Sequence, residues 1–277
     1  MAETEKSQYL LGKIQSEAER LHRQHLWVQA CLNNRIVFAP IDLQKPGLKV
    51  LDVGCADGSL LRDLQKQVAP SAELVGLDLT SSFLPVSAEG NIRYGVANVC
   101  DAPAPELVEA FDLTHLRYVL VGCGPVGLDT PIGNLAATLA PGAWLQVQEL
   151  DATLNETTQG PAFRDLLRIL GAIWNKVGPG VDCVNHIADA FTKAGLQNVH
   201  VQKLELPVGR KLDKEQDRLN SMEPFKLTIP NITRGAKALG TGLPDSVFDG
   251  LEDRFEREML DQGAIFHSVM VYGQKPQ

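Results

Sequence analysis

One stretch of ten residues constrains the fold more than any other part of the chain. Residues 49–58 read KVLDVGCADG, in which a short aliphatic run ends at Asp52 and breaks into a loop holding Gly54 and Gly58. Residues 59–67 then place leucines at helical spacing. This order predicts a strand, a tight loop and an amphipathic helix. Because glycine has no Cβ, a ligand could lie directly against the loop backbone and face amide groups at the start of the helix.

A second apolar strand follows, and it ends in an acid. Residues 73–80 read ELVGLDLT, which places Asp78 24 residues after Gly54. A carboxylate at the tip of the second strand is where α/β nucleotide-binding folds hold ribose hydroxyls. Together the two features predict a nucleoside site. Two simpler interpretations stay open, since any tight turn can hold two glycines and an exposed acid can simply end a strand.

The loop is not of the dinucleotide-binding type. Residues 52–58 follow the order D-x-G-x-A-x-G, not G-x-G-x-x-G. This acid-led loop resembles the first motif of the class I S-adenosylmethionine-dependent methyltransferases, with an alanine at the middle glycine position. The resemblance implies S-adenosylmethionine as the cofactor and a Rossmann-like α/β fold. That fold is a mostly parallel seven-stranded sheet with N-terminal helices and a helical lid insertion.

Three further stretches resemble one subgroup of that family. They are EAERLHRQH at residues 17–25, FDLTHLR at residues 111–117 and PGAWLQ at residues 141–146. They are similar to fungal secondary-metabolite methyltransferases related to the velvet-complex methyltransferase-like regulator. The resemblance implies a small-molecule acceptor, with N-terminal helices that close over cofactor and acceptor.

The resemblance also implies which residues contact the cofactor. Asn98 and Val99, after the third predicted strand, would bracket the adenine, although Asn98 equally suits an Asx turn. His115, at the end of the fourth strand, would lie near the sulfonium methyl group, either as a contact or as an architectural hydrogen-bonding group. The candidate cofactor contacts are Asp52, Gly54, Cys55, Gly58, Asp78, Leu79, Asn98, Val99 and His115.

Methyl transfer is an in-line displacement, so alignment of the reacting groups supplies much of the rate. An oxygen nucleophile must also lose a proton, and His115 and His25 are the candidate bases, with His186 and His267 less favoured. We expect oxygen as the methylated atom. The sequence shows no aspartate and asparagine pattern that suits Mg²⁺, so the transfer is expected to be metal-independent.

Apolar residues outside the glycine-loop region are expected to form the acceptor pocket. Trp174, Met222 and Phe225 are the candidate acceptor contacts, because an apolar pocket suits a polyketide, terpenoid or peptide-derived molecule. Glu149 and Asp151 end the fifth strand, where they could contact the acceptor or hold the N-terminal helix.

Periodicity and turn residues divide the chain into segments. The predicted organisation is an N-terminal helical cap (1–45), a cofactor-binding core (46–208), a helical lid insertion (209–263) and a final core strand (264–277). Predicted helices cover 9–33, 59–67, 132–139, 163–176, 184–194 and 245–261, and the later strands cover 91–101, 111–120, 143–151, 198–208 and 266–273. Thr130 is the expected cap of the third helix, and Gly195 is an expected left-handed helix end.

Composition limits the partners. The net charge of −8 and the pI near 5.3 argue against nucleic acid or an anionic membrane as the main partner. The five cysteines are scattered, which predicts reduced thiols and a cytoplasmic protein. The first residues lack an apolar signal segment, and no apolar run reaches about 18 residues, so no membrane span is expected. An oligomer remains possible.

Other functions fit the same motifs. The chain could methylate nitrogen or a protein side chain, or it could be a regulatory methyltransferase-like protein that acts through partners. It could also bind S-adenosylmethionine to assist a pericyclic cyclisation or rearrangement. A product that gains one methyl group would indicate transfer, whereas an isomer of the substrate would indicate cyclisation.

Overall fold

In the computed structural model of the protein, residues 14–87, 90–155 and 157–277 are described, without the side chains of residues 14–16 and of residue 125. The strands in chain order are β1 (Lys49–Val53), β2 (Glu73–Asp78), β3 (Ile92–Val96), β4 (Phe111–Arg117), β5 (Leu139–Asp151), β6 (Gln197–Val208) and β7 (Ala264–Gln274). Within this part of the chain, the seven strands form one sheet in the order β3-β2-β1-β4-β5-β7-β6.

The sheet has the predicted Rossmann-like arrangement. β1 pairs in parallel with β2 on one side and with β4 on the other, and the β2–β3 and β4–β5 pairs are also parallel. Parallel pairing places the carboxyl ends of these strands at one edge, where open α/β sheets bind ligands. The α/β fold class is therefore confirmed.

The helices follow the strands as a β–α fold requires. They are α1 (Ile14–Cys31), α2 (Ser59–Gln65), α3 (Asp129–Ala137), α4 (Pro161–Val177), α5 (Ile187–Lys193), α6 (Glu215–Ala238), α7 (Asp245–Phe248) and α8 (Leu251–Asp261). The predicted first helix began at residue 9, but residues 9–13 lie outside the described residues. The described helix ends at Cys31.

The described residues divide into two compact units. One, the helical unit, comprises 14–34, 151–182 and 205–268, and the other, the sheet unit, comprises 35–150, 183–204 and 269–277. The chain therefore passes from one unit to the other five times.

Aromatic side chains form the centre of the helical unit. The ring of Phe225 lies 5.0 Å from Trp27, 5.4 Å from Phe255 and 5.8 Å from Phe266, measured between centroids. Phe163 lies 5.6 Å from Phe266. These tilted, edge-on and stacked contacts bury large apolar areas and add a small specific attraction.

In the sheet unit, both faces of the sheet are buried. On one face, the α2 leucines pack with strand residues such as Val50 and Leu74. On the other, Leu51 and Leu116 belong to a cluster that includes apolar residues of α3 and α5. Burial on both faces explains the apolar run at residues 74–77 of β2 and the burial of four consecutive residues, 113–116, in β4.

Two predicted boundaries around α3 are wrong. The helix begins at Asp129, so Thr130 lies inside the first turn and is not its cap. β5 begins at Leu139, four residues earlier than predicted. Its pairing with β4 shifts register between Phe111 and Leu113, and Gly142 adopts a φ of 79° there. The Pro141-Gly142 pair thus marks an irregularity within a strand, not the end of a helix.

Other differences concern the later helices. The predicted helix 184–194 begins with a 3₁₀ turn, Cys183–His186, before α5. Gly195 has the expected left-handed conformation, with a φ of 82°. The predicted helix 245–261 is two helices, because Gly250, at a φ of 56°, separates α7 from α8. β3 ends at Val96, earlier than expected.

The long helix α6 was not predicted. It contains Pro224 and Pro230, which locally argue against a continuous helix. Its buried side chains nevertheless recur at alternating spacings of three and four: Met222, Phe225, Ile229, Ile232 and Ala236. This stripe packs into the helical unit, so tertiary burial outweighs the two prolines. None of the helices in the described part of the chain is long and apolar enough to cross a membrane.

Candidate active site

The glycine loop joins β1 to α2 and is fastened to the end of β2. The N–H groups of Gly54 and Cys55 both donate to the carbonyl of Leu77, at 2.7 and 3.0 Å. Gly54 and Gly58 have φ values of 78° and 75°, the left-handed region that favours glycine. The tight turn that the sequence predicts is therefore present.

The two glycines also make room for protein side chains. A Cβ at Gly54 would overlap the side chain of Val119, and a Cβ at Gly58 would overlap the hydroxyl of Tyr94. The sequence pattern predicts that the missing Cβ atoms give a ligand access to the loop. The structure shows that Val119 and Tyr94 occupy the directions in which those atoms would point, so the loop is closely packed from both sides.

Asp78 links the glycine loop to the end of β2. Its Oδ2 accepts from the N–H of Ala56 at 2.9 Å, and its Oδ1 accepts from the N–H of Thr80 at 2.8 Å. Burial raises the pKa of Asp78, while these two N–H groups oppose the rise. Each carboxylate oxygen has a second lone pair, so Asp78 can also accept from ribose hydroxyls. Ala56 adopts a left-handed φ of 49° although it has a Cβ.

Asp52 and His115 form a buried pair. Their strands place them side by side in register, and each is only 2% exposed. The Nδ1 of His115 lies 2.8 Å from the Oδ1 of Asp52. A carboxylate on Nδ1 fixes the orientation of the ring and favours the tautomer whose Nε2 accepts a proton. The sequence proposed each residue separately, and the structure joins them.

The segment after His115 contains a buried arginine and a residue with a strained backbone conformation. Burial lowers the pKa of Arg117, against the opposing effects of Tyr118, Asp52 and other acids. Tyr118 has a left-handed φ of 60°, and its hydroxyl accepts from the Nε2 of Gln148 at 2.9 Å. A non-glycine residue in this region stores strain of roughly 1–3 kcal/mol, which is typical of functional sites.

The remaining predicted cofactor contacts also belong to the sheet unit. The Oδ1 of Asn98 accepts from the N–H of Cys100 at 3.0 Å, so the Asx turn that the sequence left open is present. The carbonyl of Val99 accepts from Asn134 at 2.9 Å. Cys55 is buried and its pKa is raised by burial, whereas Leu79 is 43% exposed.

The predicted acceptor contacts lie in the helical unit. Trp174, Met222 and Phe225 are all buried, and Phe225 belongs to the aromatic centre of that unit. His25 is 4% exposed and lies on α1. The structure therefore brings the cofactor candidates together in one unit and places the acceptor candidates in the other.

Glu149 has a larger part in the site region than the sequence suggested. It is completely buried, and its Oε2 accepts from the N–H of Leu120 at 2.9 Å, while its Oε1 accepts from the N–H of Leu150 at 3.0 Å. Burial raises its pKa to about 7, and backbone N–H groups oppose the rise. The sequence signal for this role was the position of Glu149 near the end of an apolar strand.

Metal ligation has no support in the part of the chain that the structure describes, where no group of three or more histidine, cysteine, aspartate and glutamate side chains could hold an ion. The five cysteines are thiols.

Comparison with known protein families shows which family this chain belongs to. A profile described as a methyltransferase domain matches residues 21–201, which include the glycine loop, Asp78 and the Asp52–His115 pair. The chain belongs to this methyltransferase family. The enzyme depends on S-adenosylmethionine, which is its cofactor.

Curated relatives extend the likeness over nearly the whole length of the methyltransferase. Methyltransferase psoC of Aspergillus fumigatus is 28% identical over 263 residues, which cover 94% of this chain and 95% of the relative. N-methyltransferase sirN of Leptosphaeria maculans is 29% identical over 278 residues, which cover 98% and 95%.

A solved structure shows the same fold at greater distance. Phosphoethanolamine N-methyltransferase 2 of Haemonchus contortus, in complex with S-adenosyl-L-methionine, matches with a TM-score of 0.50 and 16% identity. The match covers 91% of this chain and about half, 53%, of the other. A likeness this distant concerns the fold alone.

The residues of the sheet unit fit the cofactor. Asp78 keeps free lone pairs for the ribose, and the glycine loop lies beside it. Asp52 and Asp78 place negative charge beside the loop, which favours a sulfonium cation, whereas the nearby Asp57 pairs with Arg62 at 3.4 Å. The donor set and the charge thus both suit S-adenosylmethionine.

Proposed function

We propose that the methyltransferase transfers a methyl group to a hydroxyl of a small secondary metabolite without a metal ion. The observation that supports this most directly is the buried Asp52–His115 pair at the carboxyl edge of the sheet, beside the glycine loop. A free amine can attack without a base, whereas a hydroxyl must lose its proton. A positioned and oriented imidazole therefore favours an acceptor that needs deprotonation.

Bound S-adenosylmethionine supplies a methyl group activated by its sulfonium. In the proposal, Asp78 accepts hydrogen bonds from the ribose, while Asn98 and Val99 contact the adenine. His115 takes the acceptor proton on Nε2. Asp52 keeps the ring in place and stabilises the imidazolium that forms.

Nitrogen is the second candidate atom. The relative sirN is named an N-methyltransferase and aligns over nearly the whole chain. An amide N–H would need the same base as a hydroxyl, because its lone pair is delocalised. The Asp52–His115 pair therefore suits a hydroxyl or an amide nitrogen better than a basic amine.

We also propose a cap at residues 1–45 and a lid at residues 209–263, with His25 as the second candidate base. The three candidate acceptor contacts, Trp174, Met222 and Phe225, are buried, which also fits a structural role in the core of the helical unit. Alanine variants that lower stability but leave the acceptor KM unchanged would assign these three residues to the core.

The test begins with the cofactor. Calorimetric titration of the purified protein with S-adenosylmethionine and S-adenosylhomocysteine should show binding, and Asp78→Asn should weaken it at least tenfold. Glu73→Gln, at the exposed start of β2, is the control and should bind normally. Absence of binding to both ligands by the wild type would overturn the proposal.

Acceptor and base are tested next. With isotope-labelled methyl donor, 2-naphthol, tyrosol and N-methylacetamide are offered, and a product that gains one methyl group is sought by mass spectrometry. His115→Asn and Asp52→Asn should lower kcat by about 10²–10⁴-fold, while binding of S-adenosylhomocysteine, which has no sulfonium charge, persists. His200→Asn, an exposed histidine of β6, is the matched control. A His115→Asn variant with wild-type kcat would refute the base.

A further inference from the structure

The carboxyl group of Glu149, near the end of β5, receives backbone N–H groups from the short turn that follows β4. Its Oε2 accepts from the N–H of Leu120 at 2.9 Å, and the N–H groups of Val119 and Val121 also bond to it and oppose the rise of its pKa. These three consecutive residues lead into the 3₁₀ turn Leu120–Gly122. Successive N–H groups that converge in this way form a concave site for a carboxylate, and the protein fills it with its own side chain.

The same turn packs against the glycine loop. The Cβ that Gly54 lacks would overlap the Cγ2 of Val119 and would lie 3.5 Å from the Cβ of Val119. The N–H of Gly54 donates to the carbonyl of Leu77 in β2 at 2.7 Å. Gly54 is thus held by β2 through its backbone and by Val119 through close packing. Because protein interiors are closely packed, a shift of Val119 would change the position of the loop.

The turn after β4 does not have a relaxed backbone. Tyr118 has a left-handed φ of 60°, and its N–H donates to the carbonyl of Gln148 at 2.9 Å. A strained residue keeps its conformation only where its surroundings hold it there. Two neighbouring residues of β5 do this, since Gln148 holds Tyr118 and Glu149 holds the residues that follow. Without the carboxyl group, the turn would keep its attachment at Tyr118 and lose the one at Val119.

We propose that Glu149 is a positioning residue for cofactor binding, whose carboxyl group holds Val119 against Gly54 and so keeps the glycine loop in the conformation that binds S-adenosylmethionine. All of these residues belong to the sheet unit. The inference rests on the proposed function, in which the cofactor lies beside the glycine loop. Glu149 does not contact the cofactor in this proposal, because it acts through Val119.

Two single variants test the two contacts separately. Glu149→Met keeps the length of the side chain and removes both acceptor oxygens, so calorimetric titration should give a dissociation constant for S-adenosylhomocysteine about tenfold higher than that of the wild type. Val119→Ala leaves the carboxyl group in place and removes the contact with Gly54, and it should raise the same constant by a similar factor.

Asp112→Leu is the matched control for the loss of a carboxylate. Asp112 accepts from the N–H of Lys49 at 2.8 Å, at the opposite end of β4 from the glycine loop. Its replacement should lower the unfolding free energy and leave the dissociation constant of S-adenosylhomocysteine unchanged. All titrations are made at a temperature at which circular dichroism shows each variant to be folded.

The double variant separates positioning from a general loss of stability. If Glu149 acts through Val119, Glu149→Met changes little once residue 119 is alanine. The double variant should then bind S-adenosylhomocysteine about as weakly as the single variants do. Two independent effects would instead multiply, which would raise the dissociation constant roughly a hundredfold above that of the wild type.

Three results would overturn the assignment. They are an unchanged dissociation constant in folded Glu149→Met, an unchanged constant in Val119→Ala, and a hundredfold increase in the double variant. Val119→Ala retains the buried carboxyl group, so it tests the assignment even if Glu149→Met does not fold. Failure of the proposed function is distinct from all three, because the wild type itself would then not bind S-adenosylhomocysteine.

Discussion

Glu149 makes the stability of the sheet unit depend on pH, in a direction opposite to that of most carboxylates. Its side chain is fully buried, and burial raises the pKa to about 7 from its usual 4.5. The folded protein therefore holds this proton more tightly than the unfolded chain does. The contribution to stability is complete below about pH 4.5, and it is lost as the pH rises through 7.

The magnitude follows from the size of the shift. A difference of 2.5 pKa units corresponds to about 3 kcal/mol in the full range, since each unit is worth about 1.4 kcal/mol. Between pH 5.5 and pH 8, the linkage relation gives a loss of about 2 kcal/mol from this one group. For a chain of this size, that corresponds to a melting temperature lower by roughly 4–8 °C.

The perturbation is Glu149→Gln. The amide stays neutral at every pH, but it presents an N–H₂ group to one of the two backbone N–H groups of Leu120 and Leu150. That cost does not change with pH. We therefore expect the variant to be less stable than the wild type at pH 5.5 and to recover about 2 kcal/mol relative to it at pH 8.

Urea unfolding at the two pH values, followed by circular dichroism, measures this difference, and comparison with the wild type cancels the other titrating groups. Glu109→Gln is the control, because Glu109 is exposed and pairs with Lys275 on the surface. Its free energy relative to the wild type should change by less than about 0.5 kcal/mol between the two pH values. If wild type and Glu149→Gln lose stability in parallel, Glu149 is ionised throughout and the reasoning is wrong.

Two further predictions concern the glycine loop and α4. Gly58→Ala drives a methyl group onto Tyr94 at a left-handed φ of 75°, so calorimetry should show S-adenosylmethionine binding at least tenfold weaker; Gly47→Ala, at a φ of 68° without a close neighbour, should bind normally. Glu258→Ala leaves two N–H groups in the first turn of α4 unpaired and should lower the unfolding free energy by about 2–3 kcal/mol. Glu256 forms an exposed ion pair with Lys226, so Glu256→Ala should lower the unfolding free energy by less than about 1 kcal/mol. Equal losses in the Glu258 and Glu256 variants would contradict this prediction.

The cofactor region could be predicted because its signals are local. The glycine loop and Asp78 each lie within a few residues of a strand end, and the strand order of a β–α–β unit follows from general rules. The contact between Asp52 and His115 needed one more step, the parallel pairing of β1 with β4 in register. Since the residues are 63 positions apart, the sequence named both without joining them.

The helical unit could not be predicted to the same depth, because distant residues decide its structure. α6 continues through Pro224 and Pro230 since its apolar stripe is buried against other helices, a gain that no local rule detects. The first turn of α4 is capped by Glu258, 95 residues away from Phe163.

The position of β7 has a consequence for the synthesis of the protein. β7 is made after the other described strands, yet it lies between β5 and β6 and not at an edge of the sheet. Until residues 264–274 have left the ribosome, β5 and β6 each keep an unsatisfied row of backbone groups on the side where β7 will insert. During that interval, these two edges can pair with strands of another nascent chain. Aggregation during expression should therefore be governed by how quickly β7 becomes available, and less by the stability of the finished enzyme.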